Sequence, residues 1–208
     1  GAEVILYGYN SAQRHEKLEE IVEQKFYTVI HSYDDPILIA GQGTVGYEIM
    51  EDVEGLDAIV VPLGGGGLLA GISIAVKEIN PKIKVIGVEP KAVPRYSESR
   101  KLGRPVEVSI KDTIADGLVI PKPGENTFPI IANYVDEIIT VNDEFIYKTL
   151  PEIIFKTKLV VEPSAVVGFA AALEGNLQLK KYEKVCFVLS GGNIDPGKLA
   201  QFIKNENT

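Results

Sequence analysis

The sequence has little of three things that mark whole classes of protein: cysteine, excess positive charge and long apolar runs. Cys186 is the single cysteine among 208 residues, which excludes a disulfide framework and suits a reducing cytoplasm. The net charge of −8 disfavours a nucleic-acid or anionic-membrane partner, since either would need a basic face. No apolar run reaches the roughly 18 residues of a membrane span. We therefore expect a globular, cytoplasmic protein.

What the sequence does contain is a regular alternation of strand-like apolar runs and helical patterns. This alternation predicts an α/β fold, a three-layer and mostly parallel sheet flanked by helices. The predicted strands are 3–7, 27–31, 57–62, 83–88, 136–141 and 185–189. The predicted helices are 14–25, 42–54, 68–79, 96–102, 143–157, 163–180 and 196–204, and most of 90–130 is predicted as loop. A domain boundary is expected near Ser32–Pro36, the segment SYDDP.

Four consecutive glycines, Gly64–Gly67, stand between a predicted buried strand and a predicted apolar helix. A helix N-terminus offers unpaired N–H groups and the positive end of the helix dipole, and bare glycines let an anion approach them. The pattern predicts a bound phosphate. Leu68-Leu69 follows the glycines where a P-loop has Lys-Ser/Thr, so a nucleoside triphosphate is disfavoured.

A dinucleotide is an alternative ligand for the same loop. The residues Gly65-x-Gly67-x-x-Ala70 match the G-x-G-x-x-G/A fingerprint, and Glu89 ends the next strand, where a ribose-binding acid would lie. A second match, Gly41-x-Gly43-x-x-Gly46, is interpreted as helix-entry glycines. The first match therefore leaves an NAD-binding domain as one open hypothesis.

Other segments favour a different ligand. AGQGTVGYEI, VPLGGGGLLAG, GVEP, TIADGL, VEPSAVVG and LSGGNID occur in this order. They resemble segments of the pyridoxal-phosphate-dependent threonine and serine dehydratases, a family of the tryptophan-synthase-β fold type. The resemblance extends over essentially the whole chain. It implies a remnant of a small domain at residues 1–31, arranged strand–helix–strand, and a large pyridoxal-phosphate-binding domain at residues 32–208.

The resemblance also implies roles for individual residues. The cofactor phosphate would be held by Gly64, Gly65, Gly66 and Gly67 with Leu68 beside them; Ser190 would face the pyridine nitrogen, Gly117 the ring and Glu162 its edge. A serine at that nitrogen leaves it largely unprotonated, which suits β-elimination. No metal is expected, because Arg95 follows Glu89 where some relatives carry an acidic ligand.

The family's Schiff-base lysine lies in a segment like SFKxRG, in its N-terminal third, and no such segment occurs here. Lys77, Lys82, Lys84, Lys156 and Lys158 are interpreted as surface charges, so the chain holds no predicted catalytic residue. We therefore expect the C-terminal two thirds of a longer protein, inactive alone.

The expected parent converts L-threonine, or serine, to a 2-oxo acid and ammonia. Its expected partners are a small amino-acid substrate, the missing N-terminal segment and further copies of itself in a dimer or tetramer. The alternatives are a serine racemase or hydroxyaspartate dehydratase relative, the NAD-binding domain, and a non-catalytic module built on the same fold.

Overall fold

The chain divides into two compact units, Gly1–His31 and Ser32–Thr208. The computed structural model describes residues 1–8 and 11–204, without the side chains of Ser11, Ala12 and His15. The first unit contains helix α1, Ser11–Lys25, which the sequence pattern predicts over 14–25. The predicted strands 3–7 and 27–31 are not strands in the structure. A strand needs a hydrogen-bonded neighbour, and the side chains of Leu6 and Ile30 in these segments are 92% and 86% exposed.

The second unit is built on a four-stranded sheet with the order β3-β2-β1-β4, and every pair of neighbours is parallel. The strands are β1 Ala58–Pro62, β2 Lys84–Pro90, β3 Glu137–Val141 and β4 Val185–Phe187. All four agree in place with predicted strands. Because parallel neighbours bring their carboxyl ends to one edge, the loops after β1, β2 and β4 open on the same side of the sheet.

Helices cover both faces of this sheet. They are α2 Pro36–Asp52, α3 Gly67–Ile79, α4 Arg95–Leu102, α5 Thr127–Tyr134, α6 Asp143–Thr157, α7 Val167–Glu174 and α8 Pro196–Lys204. Side chains of β1 alternate between two cores: Ile59 and Val61 pack with α2, α3 and α5, whereas Ala58 and Val60 pack with α6 and α7. This arrangement confirms the predicted three-layer α/β fold. No helix in the described part of the chain has the length and apolar character needed to cross a membrane.

Helices α2 and α7 differ from their predicted bounds for local reasons, and α5 was not predicted. Helix α2 begins at Pro36 rather than at 42, because the Asp35 carboxylate accepts hydrogen bonds from the first amides and caps it. Helix α5 lies in a stretch predicted as loop. Helix α7 is preceded by a 3₁₀ turn and ends at Glu174, not at 180, because Gly175 adopts a left-handed conformation with φ of 87°.

The glycines of the AGQG segment lie inside α2 and not at its entry, which corrects their interpretation as helix-entry residues. Gly43 serves packing instead, whereas no atom lies within 4 Å of a Cβ built at Gly41. A Cβ at Gly43 would lie 3.2 Å from the carbonyl oxygen of Gly71 in α3, and a Cβ at Gly71 would overlap the carbonyl oxygen of Ile39. Close contact between the two helix backbones fixes α3, and therefore the glycine loop at its start.

Candidate functional site

The glycine loop joins β1 to the first turn of α3. Gly66, the residue before the helix, has φ of 99° and supplies no side-chain cap. Among the residues that the structure describes, none accepts a hydrogen bond from the backbone amides of Gly64–Leu68. Unpaired amides at the positive end of a helix dipole form a donor set for an anion, and a phosphate fits them.

Buried side chains donate to the carbonyl oxygens of Leu63, Gly64 and Gly65, and the Gly66 oxygen accepts from the Ala70 amide of α3. The Arg95 guanidinium donates to the oxygen of Leu63 and, over 2.6 Å, to that of Gly64. The Tyr96 hydroxyl and the Thr127 hydroxyl donate to the Gly65 oxygen over 2.8 and 3.0 Å. Burial raises the pKa of Tyr96, which keeps its hydroxyl protonated as a donor. The loop is therefore held from its carbonyl side.

Glu89 stabilises the start of α4, the helix that carries Arg95 and Tyr96. Its carboxylate accepts hydrogen bonds from the amides of Tyr96 and Ser97 over 3.0 and 2.8 Å, and it lies 3.7 Å from the Arg95 guanidinium. Burial raises the pKa of Glu89 and lowers that of Arg95, while the attraction between the two charges opposes both shifts.

Glu89 has no exposed surface, so it is not available to a ribose. This contradicts the dinucleotide hypothesis, which needed its carboxylate to face a ligand. The described residues contain no group of three or more side chains placed to hold a metal ion.

Packing explains why the loop residues are glycines. The Tyr33 ring fills the space that a Cβ at Gly65 would occupy, and a Cβ at Gly67 would lie 2.7 Å from the Tyr33 carbonyl oxygen. A Cβ at Gly66 would overlap the Tyr96 hydroxyl. Only a residue without a side chain satisfies these contacts at three consecutive positions.

A chain of contacts links the loop to the other predicted site residues. A Cβ at Gly64 would lie 3.5 Å from the carbonyl oxygen of Gly117, and the Gly117 amide donates to Ser164 Oγ over 3.0 Å. Glu162 Oε1 would lie 3.6 Å from a Cβ at Gly117 and 3.0 Å from one at Gly191. The structure therefore brings the loops around Gly64, Gly117, Glu162 and Gly191 together.

Ser190 precedes Gly191 and is exposed. Its loop is held by Glu162, whose carboxylate accepts from the Asn193 amide over 2.9 Å and whose own amide donates to the Gly191 oxygen over 3.1 Å. Leu68, the second residue of α3, contributes the last amide of the acceptor-free set, and its half-buried side chain packs on the core. The predicted residues thus line one edge of the sheet.

The residues that brace the loop, Arg95, Tyr96 and Thr127, were not predicted. They lie 31 to 62 positions from the carbonyl groups they hold, and no local pattern signals such contacts. An arginine as the first residue of a helix is the one unusual local sign, because a cation is unfavourable at that end of the helix dipole.

Three of the five lysines interpreted as surface charges do form ion pairs away from the loop. Lys84 pairs with Asp136 and Lys156 with Glu152, both from exposed positions. Lys77 differs from the expectation, since its side chain is only 14% exposed and contacts Asp136 over 2.6 Å.

Comparison with known proteins gives a consistent assignment. Residues 1–191 match the family model described as pyridoxal-phosphate dependent enzyme. The chain is 42% identical over 203 residues to the L-threonine ammonia-lyase of Thermotoga maritima, covering 98% of this chain and 50% of that protein. It is 41% identical over 201 residues to L-threonine dehydratase catabolic TdcB of Escherichia coli K12, covering 96% and 61%. The chain thus spans about half to three fifths of these relatives' length.

Solved structures agree. The crystal structure of a threonine deaminase from T.th. superposes with a TM-score of 0.88 at 38% identity, covering 93% of this chain and 64% of that one. Maize serine racemase superposes with a TM-score of 0.89 at 32% identity, covering 100% and 64%. Fold, glycine loop and sequence similarity lead to one assignment: the chain belongs to the family of pyridoxal-phosphate dependent enzymes.

Proposed function

We propose that this chain is the cofactor-holding part of an ammonia-lyase that eliminates water from L-threonine; hydrolysis of the resulting imine takes water up again and gives 2-oxobutanoate and ammonia. The observation that carries the proposal is the set of acceptor-free amides of Gly64–Leu68 at the start of α3, beside Gly117 and Glu162. The names of the curated relatives support the substrate.

In this proposal the amides of Gly64–Leu68 bind the cofactor phosphate. Gly117 would lie beside the ring; its amide is fixed by Ser164, and a Cβ there would lie 2.9 Å from Ser164 Oγ. Ser190 places a neutral hydroxyl at the pyridine nitrogen, and Glu162 orients the Ser190 loop through Asn193. When bound, the cofactor supplies the electron sink that makes the substrate's α-proton acidic.

The lysine that attaches the cofactor is proposed to come from a segment outside this chain. Two observations support this: the relatives are longer than the chain, and Lys77, Lys84 and Lys156 are engaged in ion pairs elsewhere. We propose further that the complete protein works as a dimer or tetramer in the cytoplasm, where Cys186, the single cysteine of this chain, would stay reduced.

The test is release of ammonia and 2-oxobutanoate from L-threonine, with L-serine as a second substrate, by the longer protein that carries this chain. The 208-residue chain is the matched control. We expect it to bind pyridoxal phosphate without turnover. Release of product by the chain alone, or none by the longer protein with cofactor present, contradicts the proposal.

A second candidate is serine racemisation, favoured by the similarity to maize serine racemase. Both reactions begin with loss of the α-proton and differ in whether the hydroxyl then leaves. Chiral analysis of serine after incubation with the longer protein separates them. D-serine without pyruvate would replace the lyase assignment.

A further inference from the structure

Arg95 is a buried charge that the proposed reaction does not use. It has no exposed surface and begins α4, where the helix dipole disfavours a cation. Burying a cation is unfavourable unless it is paired and hydrogen-bonded. Arg95 meets both conditions, with Glu89 at 3.7 Å and the oxygens of Leu63, Gly64 and Val93 as acceptors.

Two of the three acceptors of Arg95, the oxygens of Leu63 and Gly64, lie in peptide units that also carry the proposed phosphate-binding amides. In a trans peptide the carbonyl and the following N–H point in opposite directions because the unit is planar. Holding the oxygens of Leu63 and Gly64 therefore turns the amides of Gly64 and Gly65 away from Arg95. These amides belong to the donor set that no described residue accepts from.

Arg95 contributes orientation rather than charge. Because the Glu89 carboxylate lies 3.7 Å from the guanidinium, the two opposite charges largely cancel at the position of the loop. A guanidinium has five N–H donors in a fixed plane and can hold several oxygens at once, whereas an ammonium has three donors on one atom. The Arg95 Nε and Nη2 atoms both donate to the Gly64 oxygen, a geometry that one ammonium cannot reproduce.

We propose that Arg95 is a positioning residue of the phosphate site, which fixes the peptide units of the glycine loop so that their amides converge on the anion. This inference rests on the proposed function, since it takes the loop to be the phosphate site. It requires the planar guanidinium and not merely a positive charge.

The experiment measures binding of inorganic phosphate, and separately of pyridoxal phosphate, to the full 208-residue chain by titration calorimetry. Arg95→Lys keeps the charge, and we expect the Kd for phosphate to rise roughly tenfold, as for loss of a charge-assisted hydrogen bond. We expect the Kd for phosphate of Arg95→Ala to rise by the same factor. Millimolar guanidinium should restore most of the affinity of this variant for phosphate. Methylammonium at the same concentration should not.

Arg100→Lys is the matched control. Arg100 lies on the same helix and donates to the carbonyl oxygens of Val135 and Asp136, remote from the loop. We expect its variant to bind phosphate as the parent chain does. Circular dichroism and thermal unfolding check that each variant is folded. If Arg95→Ala does not fold, the phosphate Kd of Arg95→Lys alone tests the inference.

The outcomes separate the two proposals. A parent chain that binds neither phosphate nor pyridoxal phosphate overturns the proposed function and the inference with it. A parent chain that binds phosphate, with Arg95→Lys binding equally well, overturns the inference alone. Equal rescue of Arg95→Ala by methylammonium also overturns it, because charge without planar geometry would then suffice.

Discussion

The Gly64–Gly67 loop and the Ser190–Asn193 loop follow neighbouring strands of one sheet and are both rich in glycine, but they are held very differently. Side chains from three other positions hold the carbonyl groups of the first loop, and Gly65, Gly66 and Gly67 are buried. The second loop is exposed at Ser190 and is held through Glu162. The proposed phosphate end of the site is therefore built into the core, while the proposed ring end is held by the carboxylate and the backbone amide of Glu162.

Gly66→Ala, in the Gly64–Gly67 loop, should reduce the free energy of unfolding more than any other substitution proposed below. The new Cβ would strain a residue with φ of 99° and would overlap the Tyr96 hydroxyl. Positive-φ strain and overpacking each cost about 1–3 kcal/mol, so we expect a loss of about 3 kcal/mol in the free energy of unfolding. Urea denaturation measures it.

Gly103→Ala is the matched control for that prediction. Gly103 has φ of 66°, and no atom lies within 4 Å of the place that a Cβ would take there, so this variant carries the strain without the clash. We expect a loss of about 1 kcal/mol. Equal losses for the two variants would show that the packing around Gly66 contributes nothing.

Asp34→Ala should loosen the first loop from a distance. The Asp34 carboxylate accepts from the amides of Glu125, Asn126 and Thr127, and Thr127 in turn holds the Gly65 oxygen. Loss of such a cap costs about 1–2 kcal/mol. We expect that loss in the free energy of unfolding. We also expect a higher Kd for phosphate, which titration calorimetry measures.

Asp35→Ala gives the comparison that makes this result specific. Asp35 caps α2 in the same way but does not contact α5 in any described hydrogen bond. We expect a similar loss of stability and an unchanged phosphate Kd. A fall in phosphate affinity in both variants would reduce the Asp34 effect to general destabilisation.

Glu162→Ala addresses the second loop. It removes the acceptor of the Asn193 amide, which is an exposed hydrogen bond, so the loss of stability should be about 1 kcal/mol or less. Hydrogen exchange at Asn193 should accelerate while phosphate affinity stays constant. A loss of phosphate affinity would show that the two ends of the site are coupled.

The smallest expected effect is on the pH dependence of the free energy of unfolding, and it arises at Asp136, outside both loops. Burial raises the pKa of Asp136, but hydrogen bonds from Lys77, Lys84 and the Val85 amide outweigh it and leave the pKa below its ordinary value. The stabilisation is therefore present above the ordinary pKa and is lost as the pH falls through the lower folded value. Asp136→Asn should remove about 0.5 kcal/mol at neutral pH, as for ion pairs that solvent still screens, and flatten the acid side of the stability profile. An unchanged profile by denaturation between neutral pH and acid would contradict this.

The sequence by itself determined the layers and the position of the glycine loop. Apolar runs placed all four strands of the sheet, and the period of apolar residues placed α6 at 143–157 and α8 at 196–204 with the observed bounds. These features are local, because a buried strand or an amphipathic helix must show its pattern in consecutive residues. The four glycines that lead into α3 likewise predict a bound anion from consecutive residues.

Tertiary structure alone decided what braces that loop and which apolar runs become strands. Residues 3–7 have a strand pattern, but a strand exists only through hydrogen bonds to a neighbour, and none forms there. Glu89 ends a strand as a ribose-binding acid would, yet burial against Arg95 and the first amides of α4 gives it a structural role. Arg95 itself reaches back 31 positions to Gly64, and contacts over such a distance leave no periodic trace in the sequence.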